Sequence, residues 1–333
     1  HNKMSQTNNS KLFSTKYLKN RLKLSYSYLN KELVSKGLPN YLIIELTNRC
    51  NLSCIMCPRD KMRRKKGNMQ FSLFKKIIDE TKDYVELVDL DLYGESMLNP
   101  DIYKMIKYAK TNGLNTLLNT NATLLNKENS RKLIHSGLDI LIISFDGTSK
   151  ETYELIRREG NFIKNLKNVN HFLKLNKKVY TIAQMVGMKG NQNEIKKFIK
   201  LWNGKVNSTR IKTYLNYDRE KSFLNPEQRK ISRACFMIWN SLTINWDGIV
   251  VPCCFDYDKI NIIGDTNKES IKDIWNNKKM IKLRKKHIKN KFNQIKLCEN
   301  CQPYVTNLFF IFLSSLIDNL NIRKMLPFVE KYI

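Results

Sequence analysis

Short apolar runs and helical repeats alternate along the chain from residue 41 onward. The apolar runs predict strands at 41–47, 86–92, 114–119, 139–145, 178–186 and 207–215. Apolar residues at helical spacing predict helices at 71–83, 99–112, 126–136, 149–157 with 163–175, and 191–202. Repeated strand–helix units predict an α/β fold with a parallel sheet and right-handed crossovers. Periodicity alone does not separate an open doubly wound sheet from a partial barrel.

A second, smaller unit follows these repeats. Apolar residues at 241–245 and 249–253 flank Trp246-Asp247-Gly248, and Asp-Gly between apolar runs predicts a β-hairpin. Residues 270–288 have helical periodicity. The predicted boundaries are 1–40 for basic N-terminal helices, 41–215 for the sheet domain, 216–234 for a polar linker, 235–304 for the smaller domain and 305–333 for a helical tail.

The two ends of the chain are amphipathic or apolar. Leucines and tyrosines at roughly helical spacing over 11–38 predict one or two helices that pack on the sheet domain. An apolar run at 305–317 in the tail is too short to span a bilayer. It predicts either a core helix, which we favour, or a helix lying in a membrane interface.

The net charge of +29 results from 59 lysines and arginines against 30 aspartates and glutamates. The lysines do not alternate with aromatic residues, and no helix-turn-helix, RNA-recognition or zinc-finger signature is present, which argues against sequence-specific nucleic-acid binding. The charge instead favours a phosphorylated substrate or an anionic lipid surface. The sequence has no secretory signal, and its eight clustered cysteines predict a cytoplasmic protein, with peripheral membrane contact as an alternative.

Three cysteines, Cys50, Cys54 and Cys57, form a C-x3-C-x2-C run directly after the first predicted strand. A [4Fe-4S] cluster normally takes four thiolates, so three neighbouring thiolates leave one iron open to another ligand. A zinc site usually draws its ligands from two C-x2-C-like pairs, which this run lacks. An iron–sulfur site is therefore favoured over a zinc site or unrelated buried thiols.

In this run the chain resembles the radical S-adenosylmethionine (SAM) superfamily, and the resemblance extends over about residues 41–302. It implies a partial (β/α)6 TIM-like barrel in which Cys50, Cys54 and Cys57 hold a [4Fe-4S] cluster. In this family the open iron binds the amino and carboxylate groups of SAM. The resemblance also implies cleavage of SAM to a 5′-deoxyadenosyl radical that abstracts hydrogen from the substrate, with a flavodoxin- or ferredoxin-type electron donor.

The smaller domain contains five further cysteines: Cys235, Cys253, Cys254, Cys298 and Cys301. Four thiolates from a hairpin and a C-x2-C turn suit either a fully ligated [4Fe-4S] cluster or a structural zinc. The surrounding sequence resembles the SPASM or Twitch extension of radical SAM enzymes, with spacing close to the Twitch form. The resemblance implies one auxiliary [4Fe-4S] cluster on Cys235, Cys253, Cys298 and Cys301, and a swap between Cys253 and Cys254 stays open.

The resemblance further implies a SAM pocket at the carboxyl ends of the strands. Tyr93-Gly94-Glu95 follows the second strand, where the family has a motif that binds the SAM amino group. The other implied pocket residues are Ser144 and Asp146 after the fourth strand, Arg157 in the next helix and Gln184 in strand five. A plain turn at Asp146 and a solvated helix face at Arg157 are the alternatives.

The implied function is oxidation of a sugar, cyclitol or similar small polar molecule, with the auxiliary cluster as electron acceptor. Within the superfamily, the chain resembles the 2-deoxy-scyllo-inosamine dehydrogenases. Candidate substrate contacts are Tyr93, Asn119 and Arg219, with Asp218 competing with Arg219 for this role. Cys254 is either a small buried side chain or a hydrogen-atom donor that would convert oxidation into epimerisation.

Other functions remain as alternatives. One is a radical SAM enzyme that modifies peptides, although the roughly 40 residues before the first strand are too few for a leader-binding domain. Another is a sugar dehydratase or epimerase. A basic adaptor without enzymatic activity is the third, and it leaves the seven assigned cysteines unexplained.

Overall fold

The computed structural model describes residues 15–214, 233–299 and 301. The first part of the chain, residues 15–214, begins with α1 (Thr15–Leu29). Its strands are β1 (Tyr41–Ile44), β2 (Leu87–Asp89), β3 (Asn115–Thr120), β4 (Ile140–Ser144), β5 (Tyr180–Gly187) and β6 (Ser208–Thr213). Its further helices are α2 (Phe71–Thr81), α3 (Ile102–Thr111), α4 (Lys127–His135), α5 (Lys150–Ile156), α6 (Phe162–Leu175) and α7 (Ile195–Trp202).

The described residues from 233 onward, the C-terminal part, contribute three strands and three α-helices. They are α8 (Met237–Asn240), β7 (Ser241–Ile244), β8 (Ile249–Val251), β9 (Gly264–Asp265), α9 (Ile271–Trp275) and α10 (Lys278–Ile288). The single helix predicted at 270–288 is therefore two helices. The side chain of Asn277 accepts hydrogen bonds from the backbone N–H groups of Lys279 and Met280, and this cap begins a new helix.

Strands from both parts form one sheet in the order β6-β5-β4-β3-β2-β1-β7-β8-β9. Neighbouring strands from β6 to β7 pair in parallel, and β8 pairs antiparallel with β7 and β9. The α/β class and the partial barrel are confirmed. The hairpin of the C-terminal part lies directly beside β1, with Tyr41 opposite Ser241.

Alternation along the strands separates the helix-facing core from the barrel interior. Leu42 and Ile44 of β1 belong to the main core that packs against the helices. Ile142 of β4 and Ile182 of β5 belong to a separate cluster on the opposite face. Because side chains alternate between faces, Ser144, two residues after Ile142, also points into the barrel interior. Polar residues thus lie at the carboxyl ends of the strands, and apolar residues lie deeper in the barrel interior.

The N-terminal helix packs against the C-terminal part as well as the barrel. The hydroxyl of Tyr28 in α1 donates to the carbonyl of Ala234 at 2.8 Å, and its ring lies 5.5 Å from that of Trp239. The indole N–H of Trp239 donates to the carbonyl of Glu32 at 2.9 Å. The residues on either side of the barrel sequence therefore stabilise each other.

No helix within the described part of the chain is long and apolar enough to cross a membrane. The predicted tail at 305–333 and most of the predicted linker lie outside the described residues.

Candidate functional site

The loop that carries Cys50, Cys54 and Cys57 is fixed against the end of α5. The backbone N–H groups of Ser53 and Ile55 donate to the carbonyls of Arg158 and Ile156, at 3.2 and 3.0 Å. Because α5 follows β4, these bonds hold the loop over the carboxyl ends of the strands. The three thiols are therefore positioned where ligands bind in barrels of this type.

The Tyr93-Gly94-Glu95 segment packs against the same loop. A Cβ atom added at Gly94 would lie 2.1 Å from the carbonyl oxygen of Thr47, so no larger residue fits there without a shift of the backbone. The N–H of Glu95 donates to the carbonyl of Arg49 at 2.9 Å. The glycine therefore brings the Glu95 carboxylate next to the cysteine loop.

The side chain of Glu95 is almost fully buried and accepts two strong hydrogen bonds. Its oxygens accept from the Thr120 hydroxyl at 2.8 Å and from the Asn121 N–H at 2.7 Å. Burial raises the pKa of Glu95, and these hydrogen bonds oppose the rise. A bound ammonium group would stabilise the charged carboxylate, so the site fits the amino group of SAM.

Arg157 is a buried cation beside the cysteine loop. Its guanidinium lies 2.7 Å from the Asp146 carboxylate, and both side chains are less than a tenth exposed. Burial tends to lower the pKa of Arg157, but Asp146 and Cys54 outweigh it and raise that pKa above its usual value. Burial raises the pKa values of Cys54 and Glu95, and Arg157 in turn partly opposes this rise. The prediction of a solvated helix face at Arg157 is therefore wrong.

Two hydrogen-bonded pairs of side chains link neighbouring strands on the interior side of the barrel. The Ser144 hydroxyl of β4 donates to Asn119 Oδ1 of β3 at 2.6 Å. On the next strands, Arg210 of β6 donates to Gln184 Oε1 of β5 at 2.5 Å. The structure therefore brings Asn119, Ser144 and Gln184 to the predicted end of the barrel, where hydroxyl and amide groups suit a ribose.

The surroundings of the thiols in the cysteine loop favour iron binding over free thiolates. Burial raises the pKa of Cys54 to about 12 and also raises the pKa of Cys50. Without a cation these thiols stay protonated at neutral pH, because the buried thiolate is unfavourable. Iron supplies the positive charge that the thiolates need. Asn121, which sequence reasoning missed, lies with Nδ2 3.8 Å from Cys50 Sγ.

Four of the later cysteines surround one cavity. Its lining consists of Cys235, Met237, Ile238, Pro252, Cys253, Phe255, Leu283, His287, Leu297, Cys298 and Cys301. Burial raises the pKa of Cys235 to about 11 and of Cys298 to about 12, so these thiols also need a cation. This donor set fits a fully ligated [4Fe-4S] cluster.

The individual thiols of the described residues do not converge on a single point. Across residues 15–214, 233–299 and 301, no three His, Cys, Asp or Glu side chains are grouped as around one metal ion. A cubane places each thiolate on a different iron, so its ligands stand further apart than those of a single ion.

Cys254 is not part of the cavity lining and interacts with the barrel interior. A hydrogen bond with the Cys253 side chain has the largest effect on Cys254 and lowers its pKa; Lys212 lowers that pKa further, and burial and Asp89 raise it. The Tyr93 hydroxyl donates to the Cys254 carbonyl at 2.5 Å, and the Tyr93 ring lies 6.1 Å from that of Tyr257. Tyr93 and Cys254, predicted separately, are therefore neighbours where the barrel meets the C-terminal part.

A pair of carboxylates inside the barrel is a feature that sequence reasoning missed. Asp89 accepts a hydrogen bond from the Tyr41 hydroxyl at 2.5 Å, and Asp91 accepts one from the Asn119 N–H at 3.1 Å. Burial and the neighbouring Asp89 raise the pKa of Asp91 well above its usual range. Polar residues at alternate positions of an apolar strand were the signal that could have identified them.

A buried ion pair connects the cysteine loop to the C-terminal part. Arg64, in the segment after the three cysteines, forms a forked pair with Glu45, which follows β1. The Arg64 Nε–H also donates to the carbonyl of Tyr257 at 2.6 Å. The backbone N–H of Trp246 lies 3.4 Å from the same Glu45 carboxylate. This pair therefore helps to fix the two predicted cluster sites relative to each other, together with the pairing of β1 and β7.

We expect Arg64→Met to lower the free energy of unfolding by about 3–5 kcal/mol, because it leaves the Glu45 carboxylate buried without a counter-ion. The two side chains are 6% and 0% exposed. The control is Lys75→Met, which removes an ion pair with Asp79 whose side chains are 50% and 35% exposed and should change stability little. Urea denaturation of the anaerobic protein measures both. Equal small changes would contradict a structural role for Arg64.

Arg219 and Asp218 lie outside the described residues, so their roles as substrate contacts stay predictions.

Two family models match the chain: the radical SAM superfamily over residues 44–201, and the SPASM iron–sulfur cluster-binding domain over residues 235–302. A relative is the uncharacterised protein MJ0804 of Methanocaldococcus jannaschii, which is 31% identical over 183 residues. That match covers 54% of this chain and 59% of MJ0804, so the chain spans less than two thirds of this relative.

Solved structures show the same fold at low sequence identity. BtrN in complex with AdoMet and 2-DOIA has a TM-score of 0.57 and 18% identity, covering 82% of this chain and 96% of BtrN. Streptococcus suis SuiB bound to the precursor peptide SuiA has a TM-score of 0.64 and 14% identity, covering 78% of this chain and 69% of SuiB. The chain therefore contains a radical SAM domain over residues 44–201, with SAM and a [4Fe-4S] cluster as cofactors, and a SPASM domain over residues 235–302 for further iron–sulfur ligation.

Proposed function

We propose that the chain is a radical SAM oxidoreductase that oxidises a sugar, cyclitol or similar small polar molecule. The observation that carries this proposal is the position of the auxiliary cysteines. Cys235, Cys253, Cys298 and Cys301 line one cavity, while the adjacent Cys254 interacts both with Cys253 and with Lys212 and Asp89 of the barrel interior. A cluster on the four thiolates would lie beside the substrate and could accept its electron.

The residues near the cysteine loop have roles in holding SAM. Glu95 binds the amino group, and Arg157, kept in place by Asp146, offers its positive charge to the carboxylate. Ser144 and Asn119 face the ribose, and Gln184 lies one strand further along the sheet. When bound, SAM and the cluster on the three loop cysteines supply a radical that abstracts a hydrogen atom from a substrate carbon.

An oxidation of an alcohol to a ketone also removes the hydroxyl proton and one electron. We assign the proton to the Asp89–Asp91 pair, and the electron to the auxiliary cluster. Burial raises the pKa values of both carboxyl groups, and Asp89 raises that of Asp91 further, so the pair binds a proton more readily than an exposed carboxylate does. The charged carboxylate can accept the substrate proton, while Tyr41 fixes the orientation of Asp89.

Basic residues on β6 support a substrate with a negatively charged group. Arg210 and Lys212 pair in register with Gln184 and Val186 of β5. Burial raises the pKa values of Asp89 and Asp91, and the cations partly oppose this rise, Arg210 at Asp89 and Lys212 at Asp91. Hydroxyl groups of the substrate would face the carboxylates, and a phosphate group would face the cations.

The experiment that tests the proposal is anaerobic turnover of carbon-deuterated candidates, with SAM and either dithionite or a flavodoxin as reductant. The candidates are hexoses, aminocyclitols and their phosphorylated forms, with a set of peptides as the second arm. We expect deuterium in 5′-deoxyadenosine and a product that has lost two hydrogens. Deuterium transfer from a peptide and from no sugar or cyclitol would show that the enzyme modifies peptides, as the fold likeness to SuiB allows.

An epimerase is the second candidate function, and the position of Cys254 favours it. A thiol that faces the barrel interior can return a hydrogen atom to the opposite face of a carbon radical, and the resulting thiyl radical then takes one electron and one proton. Under the oxidation proposal, we expect Cys254→Ala to keep its full iron content and to form the same oxidised product. Mass spectrometry and iron assay measure this. A product that changes from an inverted centre to an oxidised one would replace the dehydrogenase proposal, and a loss of about half the iron would make Cys254 a ligand.

A further inference from the structure

A buried histidine lies between two of the auxiliary cysteines. His287, in α10, is 1% exposed and lines the same cavity as the four thiols. Its Nδ1 accepts a hydrogen bond from the backbone N–H of Cys235 at 3.3 Å. Its Nε2 lies 3.4 Å from Cys298 Sγ. The ring packs edge-on against Phe292, with centroids 5.2 Å apart. These contacts fix both the position and the orientation of the imidazole.

The contact to Cys235 determines which ring nitrogen carries hydrogen. A nitrogen that accepts an N–H bond has its lone pair occupied, so in the neutral ring the hydrogen must be on the other nitrogen. Nε2 therefore points an N–H at Cys298 Sγ and has no lone pair to offer to iron. His287 is thus placed to donate a hydrogen bond to Cys298, and a cluster held here would take its four ligands from the thiolates.

The rest of the cavity makes this donor important. Apart from the thiols, the other lining residues are Met237, Ile238, Pro252, Phe255, Leu283 and Leu297, none of which has a side-chain N–H or O–H group. Backbone N–H groups also approach the sulfurs: that of Phe255 lies 3.4 Å from Cys253 Sγ, and those of Met237 and Ile238 interact with Cys235. His287 is therefore the side-chain donor among these lining residues. Apolar surroundings disfavour the added negative charge of a reduced cluster, and hydrogen bonds to the sulfurs favour it.

We propose that His287 raises the reduction potential of the auxiliary cluster by donating a hydrogen bond to the Cys298 thiolate, so that the cluster can accept an electron from the substrate radical. This inference rests on the proposed function, in which the cluster is the acceptor. In the step, the substrate carbon radical would lose one electron, and an oxidised cluster held by the four thiolates would accept it. The matching proton goes to the Asp89–Asp91 pair, and the Nε2–H hydrogen stays on His287.

The test is a potentiometric titration of the reconstituted protein, followed by electron paramagnetic resonance. The signal of the SAM-binding cluster is identified by its change when SAM is added. We expect His287→Leu to lower the reduced fraction of the auxiliary cluster about tenfold at a fixed potential, equal to a shift of about 59 mV. His287→Gln keeps an N–H donor and should restore most of the shift. His135→Leu, at an exposed helix position, is the control and should leave the potential unchanged.

Other outcomes would overturn the inference. If His287→Leu keeps the wild-type potential, the hydrogen bond does not tune the cluster. If His287→Leu loses iron, wild-type protein labelled with ¹⁵N-histidine shows whether His287 donates a hydrogen bond or ligates iron. A weak nitrogen coupling to the reduced cluster supports the hydrogen-bond donor. A strong coupling shows direct ligation and overturns the inference. Failure of the proposed function is distinct, because it appears as absent deuterium transfer while the shift in potential persists.

Discussion

Replacing Cys50, Cys54 and Cys57 together with alanine will lower the iron content from about eight to about four atoms per chain and abolish SAM cleavage. The three thiols lie on one loop that is bonded to the end of α5 beside Glu95 and Arg157. Without them no iron remains at the position where, under the proposed function, the amino and carboxylate groups of SAM would bind. Iron assay and chromatographic detection of 5′-deoxyadenosine measure the two effects.

The control for this triple variant is Ser53→Ala, which changes a side chain of the same loop and keeps the backbone bond to Arg158. It should retain both iron and cleavage. Persistent 5′-deoxyadenosine formation in the triple variant would contradict the assignment of the SAM-binding cluster. A complete loss of iron would show that the second site cannot load by itself.

Replacing Cys298 and Cys301 with alanine will also lower the iron content to about four atoms, but SAM cleavage will continue without oxidation of the substrate. The reason is that these cysteines line the auxiliary cavity and lie apart from the residues around Glu95. The radical still forms, and the electron has no acceptor. The measured ratio of 5′-deoxyadenosine to oxidised product should rise at least tenfold.

The matched control is Glu299→Ala, because Glu299 lies between the two cysteines at an exposed position. It should keep the wild-type ratio. Zinc in the second site of the wild-type protein, or an unchanged ratio in the double cysteine variant, would contradict the electron-acceptor role.

The periodicity of the sequence predicted most of the fold because each strand and helix has its own local pattern. The predicted strands at 139–145 and 178–186 differ from β4 and β5 by one or two residues at their ends. Local patterns also identified the cysteine loop, whose ligands are neighbours in sequence. The break between α9 and α10 was missed because an Asn cap inside a basic, periodic stretch resembles an ordinary helical position.

Residues that act through distant contacts could not be predicted from the sequence. Glu45 and Arg64 look like ordinary surface charges until the fold buries them together. His287 follows two lysines in a basic helix, and its role depends on Cys235, which lies 52 residues away. The Asp89–Asp91 pair depends on closure of the barrel, because Lys212 of β6 affects Asp91 only across the interior.

The pairing of β1 with β7 has a consequence for synthesis of the chain. Tyr41 pairs with Ser241, so β1 cannot pair with β7 until the ribosome has added about 200 further residues. At about 5–20 residues per second, one edge of β1 stays unpaired for roughly 10–40 s. An open strand edge is a site of aggregation, and the first three cysteines follow this strand directly. Nascent chains therefore pass through a period in which the future iron site is attached to an incomplete sheet.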